Sequence, residues 1–360
     1  MTDPLSTPLC DLLGIRHAIL LAGMAGGPNT PELVGAVSRA GGLGVLGVTT
    51  TTVEATITAT RAAIDLAGGA PVGVNVQIAP RTEPTGDRAQ IAAVLAPFRA
   101  ELGLPPEPPA PPPVGTPVEL LQAGVDAGAS VITTFEDPTP AVAIARAAGV
   151  PLLAMVTSVA DARRAVAAGA DGVIAQGSEA GGHRSAFAAG ETLREVPEMG
   201  TLGLVPQVVD AVGDAVPVVA TGGIMDGRGI AAALALGAAG VSLGTRFLGA
   251  REAGIADAHR QALVAAEQYG TVVTDAVTGR PARWINNRIV AALVAADVGT
   301  LGWGAQAAYT ADLRKEAARQ NAVDLLPMLA GQAAALVGEP APAAEIVALL
   351  VDQTRAARHG

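Results

Sequence analysis

The stretch Gln176-Gly177-Ser178-Glu179-Ala180-Gly181-Gly182-His183-Arg184-Ser185 brings one histidine, one acid, one guanidinium and three glycines into ten residues. Imidazole is the side chain best matched to proton transfer near neutral pH, because its ordinary pKa lies close to it. The chain has four histidines. His17 precedes the first apolar run, His259 falls in a polar helical stretch and His359 sits at the C-terminus; only His183 occupies a glycine-rich loop behind a buried strand. No H-E-x-x-H pattern and no second histidine lie near it, so a zinc site is not read there.

A second pattern is paired glycine. Ala220-Thr221-Gly222-Gly223-Ile224 leads into Asp226-Gly227-Arg228, a helix start, and Ser242-Leu243-Gly244-Thr245 closes a later apolar run. Two such turns with free N–H groups and a helix N-terminus nearby form an anion cradle, suited to a phosphate. Ala22-Gly23-Met24-Ala25-Gly26-Gly27 is dense enough in glycine to admit a flat ligand, or simply to make a tight turn. Asn75 ends the apolar run Gly73-Val74-Asn75-Val76, where an amide either bonds a cofactor or pins a loop.

Other chemistry is excluded. Gly42-Leu43-Gly44-Val45-Leu46-Gly47 fits G-x-G-x-x-G, but a helical segment precedes it and a strand overlaps it, the reverse of the dinucleotide arrangement. The single lysine, Lys315, lies in Arg314-Lys315-Glu316, so there is no Walker A loop and no strand-end Schiff base. The single cysteine, Cys10, rules out an internal disulfide or a multi-cysteine metal site. A net charge of −10 (23 basic, 33 acidic) without basic runs argues against nucleic acid and anionic membranes. No uninterrupted apolar stretch reaches the ~18 residues of a membrane span, and the N-terminus lacks a basic leader region. The expectation is a cytoplasmic protein acting on a small molecule.

These residues need a scaffold that gathers loops. The chain repeats one phrase, a helical run closed by glycine and then a short aliphatic run, as in Ala168-Gly169-Ala170-Asp171-Gly172-Val173. That is a helix ended by a left-handed glycine and followed by a parallel strand covered on both faces. Eight strands are predicted at 18–22, 43–48, 72–76, 130–134, 151–156, 172–176, 216–220 and 240–244. Helices fit between them at 31–40, 53–67, 118–127, 139–148, 159–168, 205–212 and 226–236. The pattern is an α/β (β/α)8 TIM barrel over residues 1–250, with a doubly wound sheet as the alternative, since periodicity does not show closure. Residues 251–360 read as a helical C-terminal subdomain packed on the barrel, with helices at 256–269, 288–296, 305–315 and 343–358 and no strands. The proline-dense run 104–117 reads as an extended loop, and Trp284 and Trp303 read as core.

Together these segments resemble the nitronate monooxygenase family, once called 2-nitropropane dioxygenases. The resemblance spans about residues 10–250. It is carried by Met24-Ala25-Gly26-Gly27, Val74-Asn75, Gln176-Gly177 through Glu179-Ala180-Gly181-Gly182-His183, and Gly222-Gly223-Ile224 through Gly244-Thr245-Arg246-Phe247. It implies an FMN-dependent barrel. In it Ala22, Gly23 and Met24 would line the flavin, Asn75 and Gln176 would bond its ring system, and Gly181 would lie against it. Gly222, Gly223, Ser242, Gly244 and Thr245 would cradle its phosphate, and His183 would be catalytic. The implied reaction oxidises an alkyl nitronate with O2 to a carbonyl compound and nitrite. His183 would face the anion as a cation or hydrogen-bond donor, or remove the α-proton of a neutral nitroalkane. The resemblance also admits an NAD(P)H-dependent FMN reductase of an enoyl-CoA, another CoA ester or a quinone. Leu21-Ala22-Gly23-Met24 and Ser185 depart from the family pattern at the flavin and substrate edge.

Overall fold

The computed structural model describes residues 3–78, 82–185 and 198–357. The first two residues and His359 lie outside them. The strands are β1 (Ile19–Leu21), β2 (Gly44–Gly47), β3 (Val72–Gln77), β4 (Val131–Phe135), β5 (Leu152–Val156), β6 (Gly172–Gln176), β7 (Gly182–His183), β8 (Val218–Thr221), β9 (Gly240–Leu243), β10 (Thr271–Thr274) and β11 (Ala282–Ile285). Eight of them run parallel in the order β1-β9-β8-β6-β5-β4-β3-β2. A parallel bridge between Leu20 and Leu43 joins the two outer strands, with Leu21 N–H on Leu43 O at 2.9 Å and Leu43 N–H on Ile19 O at 3.0 Å. The sheet therefore closes on itself as a TIM barrel, which removes the doubly wound alternative.

Local chemistry accounts for the repeat. The strands are aliphatic and buried along almost their whole length, because the barrel interior covers one face and the outer helices the other. Thr30, Thr52, Thr116 and Ser158 each accept a backbone N–H at the start of the following helix. Gly68, Gly149 and Gly169 close helices in the left-handed region. At Gly44 a Cβ would stand 2.1 Å from Val34 O, so helix Pro31–Arg39 lies on β2 at a distance only glycine allows.

The region after residue 250 differs from the expectation of helices alone. β10 and β11 pair antiparallel, and β11 pairs in turn with β7, giving a three-stranded sheet. Thr271-Val272-Val273-Thr274 is β-branched throughout, which favours the extended chain, but at four residues it is too short to show a period. The expected helix at 305–315 divides at Thr310, whose hydroxyl donates to Val277 O at 2.9 Å and ties the break to the connection between β10 and β11. A second apolar cluster surrounds Trp284, Ile285, Leu313 and Leu325, and it includes Ile91, Leu95 and Phe98 of helix Arg88–Glu101, an insertion between β3 and β4. Buried Arg99 on that helix clasps Asp312 through two nitrogens at 3.0 and 2.6 Å. The last helix, Ala343–Ala357, returns to the barrel and buries Ile346, Val347, Leu350 and Val351 in the first cluster. Among the described residues no helix is long and apolar enough to cross a membrane.

Candidate active site

The loops after β1, β3, β6, β8 and β9 all leave the same rim of the barrel, and they touch. A Cβ on Gly23 would fall 2.2 Å from Asn75 Cβ, and one on Gly47 would fall 2.4 Å from Met24 C. The chain after β1 thus lies flat across the ends of β2 and β3. Met24 Sδ and Ala22 Cβ both stand 3.6 Å from the Cβ position of Gly244, which links this loop to the one after β9. Asn75 Nδ2 donates to Thr133 Oγ1 at 2.8 Å and to Thr133 O at 3.2 Å. Gln176 donates through Nε2 to His183 O at 2.9 Å and accepts at Oε1 from Ser185 N–H at 3.0 Å. Both amides are therefore spent, wholly or in part, on holding the rim in shape.

The glycine end consists of main chain. Gly222 (φ 115°) and Gly223 (φ 70°) occupy the left-handed region, where a side chain is strained. Thr201 Oγ1 lies 2.9 Å from Gly222 O and 2.9 Å from a Glu179 oxygen, and the same carboxylate receives Thr201 N–H at 2.8 Å. Glu179 thereby caps helix Thr201–Val212, a structural use of the loop's acid. Ser242 is a buried strand residue whose carbonyl accepts from Thr221 Oγ1 at 2.7 Å. The N–H groups of Gly223, Gly244 and Thr245 have no acceptor among the described residues. That arrangement fits the phosphate of FMN. One part of the sequence expectation fails: the helix start at Asp226 cannot serve the anion. The Asp226 carboxylate already accepts from Arg228 and Gly229 N–H, and it places a negative charge there.

The imidazole end is built from side chains and from chain far away in sequence. His183 sits on β7, in register with Ala282, while Gly182 pairs with Arg283. Arg283 donates twice to Ser178 O, at 2.9 and 2.6 Å, and Arg184 donates to Gly177 O at 2.6 Å. Ser185 Oγ receives Glu136 N–H at 2.8 Å and donates to Met155 O at 2.7 Å. The His183 ring meets Thr278 Oγ1 at 2.9 Å through Nε2, with Trp303 edge-on at 4.9 Å and Trp284 at 6.3 Å. Burial, then the nearby charges of Arg280 and Arg314, lowers the His183 pKa to about 3. The ring is neutral at physiological pH, so it faces an anion as a hydrogen-bond donor and not as a cation. Arg280 forms a buried ion pair with Glu136 at 2.9 Å.

At Gly181 a Cβ would strike Ala330 C and Gly331 N, both at 2.6 Å, so a segment from far along the chain packs directly on this glycine. Gly331 N–H also donates to Thr245 Oγ1 at 2.9 Å, so the 330–331 segment spans both ends of the rim. Sequence reasoning missed this segment, and with it Thr278, Arg280, Arg283 and Arg314. It also placed Trp303 in the core, where it instead walls His183. The usable signal was the β-branched run at 271–274, which favours a strand.

The closed parallel barrel, with its loops gathered on one rim, places this chain among the oxidoreductases that it matches in sequence and fold. The nitronate monooxygenase family model matches residues 6–353, and the chain belongs to that family. A probable nitronate monooxygenase of Staphylococcus saprophyticus is 36% identical over 352 residues, covering 92% of this chain and 93% of that protein. One from Staphylococcus aureus strain Newman is 34% identical, covering 96% of each. The solved nitroalkane oxidase of Streptomyces ansochromogenes superposes with a TM-score of 0.85 at 33% identity, covering 98% of this chain and 99% of that one. FabK of Thermotoga maritima follows with a TM-score of 0.74 and 28% identity, over 98% of this chain and 97% of its own. The protein is an oxidoreductase enzyme.

Proposed function

We propose that this enzyme binds FMN and oxidises alkyl nitronates with O2, releasing a carbonyl compound and nitrite. The observation that carries the reading is the meeting, on one barrel rim, of unsatisfied main-chain N–H groups and a neutral histidine under a positive field. Gly223, Gly244 and Thr245 would hold the FMN phosphate, with Ala22, Gly23 and Met24 along the flavin. Bound FMN would supply the electron acceptor for the nitronate and the centre that hands electrons to O2. His183 then orients the nitronate by donating a hydrogen bond to its oxygens. Arg280 and Arg314 raise the potential around that anion. Trp303 closes one side of the imidazole and limits water there.

The test uses purified, FMN-loaded protein with propionate 3-nitronate in air. Nitrite release at rates far above the FMN-only control is the expected result. Rapid anaerobic bleaching of the flavin by NADH or NADPH, with no nitrite from the nitronate, would instead establish the NAD(P)H-dependent reductase of a CoA ester or quinone.

A further inference from the structure

We propose that Arg314 is a specificity-determining residue: it holds an unmatched positive charge at the imidazole end, and the site therefore favours a nitronate over its neutral nitroalkane. The inference rests on the nitronate reading above and assigns its selectivity to one side chain.

The position of Arg314 follows from a chain of short contacts. It lies on helix Ala311–Arg319, where its N–H bonds Thr310 O at 3.1 Å. Its Nη2 donates to Ala307 O at 3.1 Å, so the side chain folds back past Thr310 toward the start of the helix. Thr310 Oγ1 stands 3.4 Å from the same Ala307 O and 2.9 Å from Val277 O. Val277 precedes Thr278, whose hydroxyl meets the His183 ring at 2.9 Å. The guanidinium is thereby held on the helix face that packs against the imidazole end. Its charge reaches the ring, where it acts against a second proton on His183.

The charge is also unmatched. Buried Arg99 and Arg280 face carboxylates, Asp312 at 2.6 Å and Glu136 at 2.9 Å. Arg314 has no ion pair among the described residues, and its Nε is sealed from solvent without an acceptor. Burial holds its pKa below the ordinary arginine value, and no carboxylate pulls it back up. A buried charge without a counter-charge is costly to the fold, so its place beside a reactive side chain points to a ligand that brings the opposite sign.

A nitronate carries one negative charge and matches Arg314 one for one. The parent nitroalkane carries none and gains nothing from it. The attraction is strengthened because Trp303 walls the imidazole and keeps the local dielectric low.

The experiment compares FMN-loaded wild type with Arg314→Met, which keeps the apolar stem and loses the charge, and with Arg314→Lys, which keeps the charge. For Arg314→Met, kcat/KM for ethyl nitronate should fall at least about tenfold, with a much smaller loss for nitroethane, and Arg314→Lys should recover most of it. Nitrate, a planar anion titrated against the flavin absorbance, should bind the wild type at least about tenfold more tightly than Arg314→Met. The urea midpoint of Arg314→Met should equal or exceed that of the wild type, because an unmatched buried charge is removed. Equal losses for the two substrates would overturn the proposal, as would unchanged nitronate preference or nitrate binding indifferent to the variant. If the wild type released no nitrite from ethyl nitronate, the functional reading would fall, while the nitrate titration would still decide the role of the charge.

Discussion

The two ends of the rim are suited to negative charge by opposite means. At the glycine end the donors are main-chain N–H groups, those of Gly223 in a left-handed turn after β8 and of Gly244 and Thr245 at the start of a helical turn after β9. At the imidazole end the polar group is a side chain, His183, buried beside Thr278 and Trp303 and near the charges of Arg280 and Arg314, all from beyond residue 250. Main-chain recognition is local and is written in consecutive residues. Side-chain recognition is assembled, and its chemistry depends on what the fold brings alongside.

The sharpest way to separate the two ends is to remove the imidazole. His183→Ala should lower kcat/KM for a nitronate by about 10²–10³-fold, the range for a positioned catalytic group, and leave flavin content unchanged. Equal loss of flavin and activity would mean that the two ends are not distinct. Next in size is the support of the imidazole end. Arg283→Met removes two bonds to Ser178 O and one to Thr271 Oγ1 at 3.2 Å. Charged hydrogen bonds of this kind contribute about 1.5–3 kcal/mol each to stability, so urea denaturation should register a clear drop, with a KM increase at the site. At the glycine end, Gly223→Ala places a Cβ 3.2 Å from Glu179 Cβ at φ 70°. That strain of about 1–2 kcal/mol should weaken FMN binding by about tenfold in an equilibrium titration, without changing the pH profile of the enzyme that remains loaded.

The smallest effect concerns acid. His183 and His259 have folded pKa values lowered from 6.5 to about 3 and about 4, both chiefly by burial. Below pH 6.5 the unfolded chain binds protons that the folded chain refuses, so stability falls as pH drops from 6.5 toward 4, and for His183 further toward 3. His259→Gln, which keeps an amide donor within reach of Leu329 O, should shallow that decline above pH 4 in a denaturation series. Activity should show no break at pH 6.5 attributable to His183, which stays neutral well below it.

The barrel was legible because its signals are local. All eight predicted strands stand within two or three residues of β1–β6, β8 and β9, and helices 53–67, 139–148 and 159–168 match to the residue. Glycine ended the helices and aliphatic runs made the strands, each without distant help. The rim residues were likewise found through their glycines. What the sequence could not show was occupancy: that Gln176 is bound to its own loop, that Glu179 caps a helix, and that Asp226 blocks the helix start assigned to the anion. Those outcomes depend on loops meeting in space. β10 and β11 were missed because they stand outside the repeated phrase of helix, glycine and aliphatic strand, and β7 because two residues carry no pattern.

The most direct test of the account adds ethyl nitronate without oxygen to FMN-loaded wild type and to His183→Ala, each followed by flavin absorbance. The account predicts rapid bleaching in the wild type and bleaching at least about a hundredfold slower in the variant, both starting equally yellow. Protein that takes up no FMN, or a variant that bleaches as fast as the wild type, would contradict it.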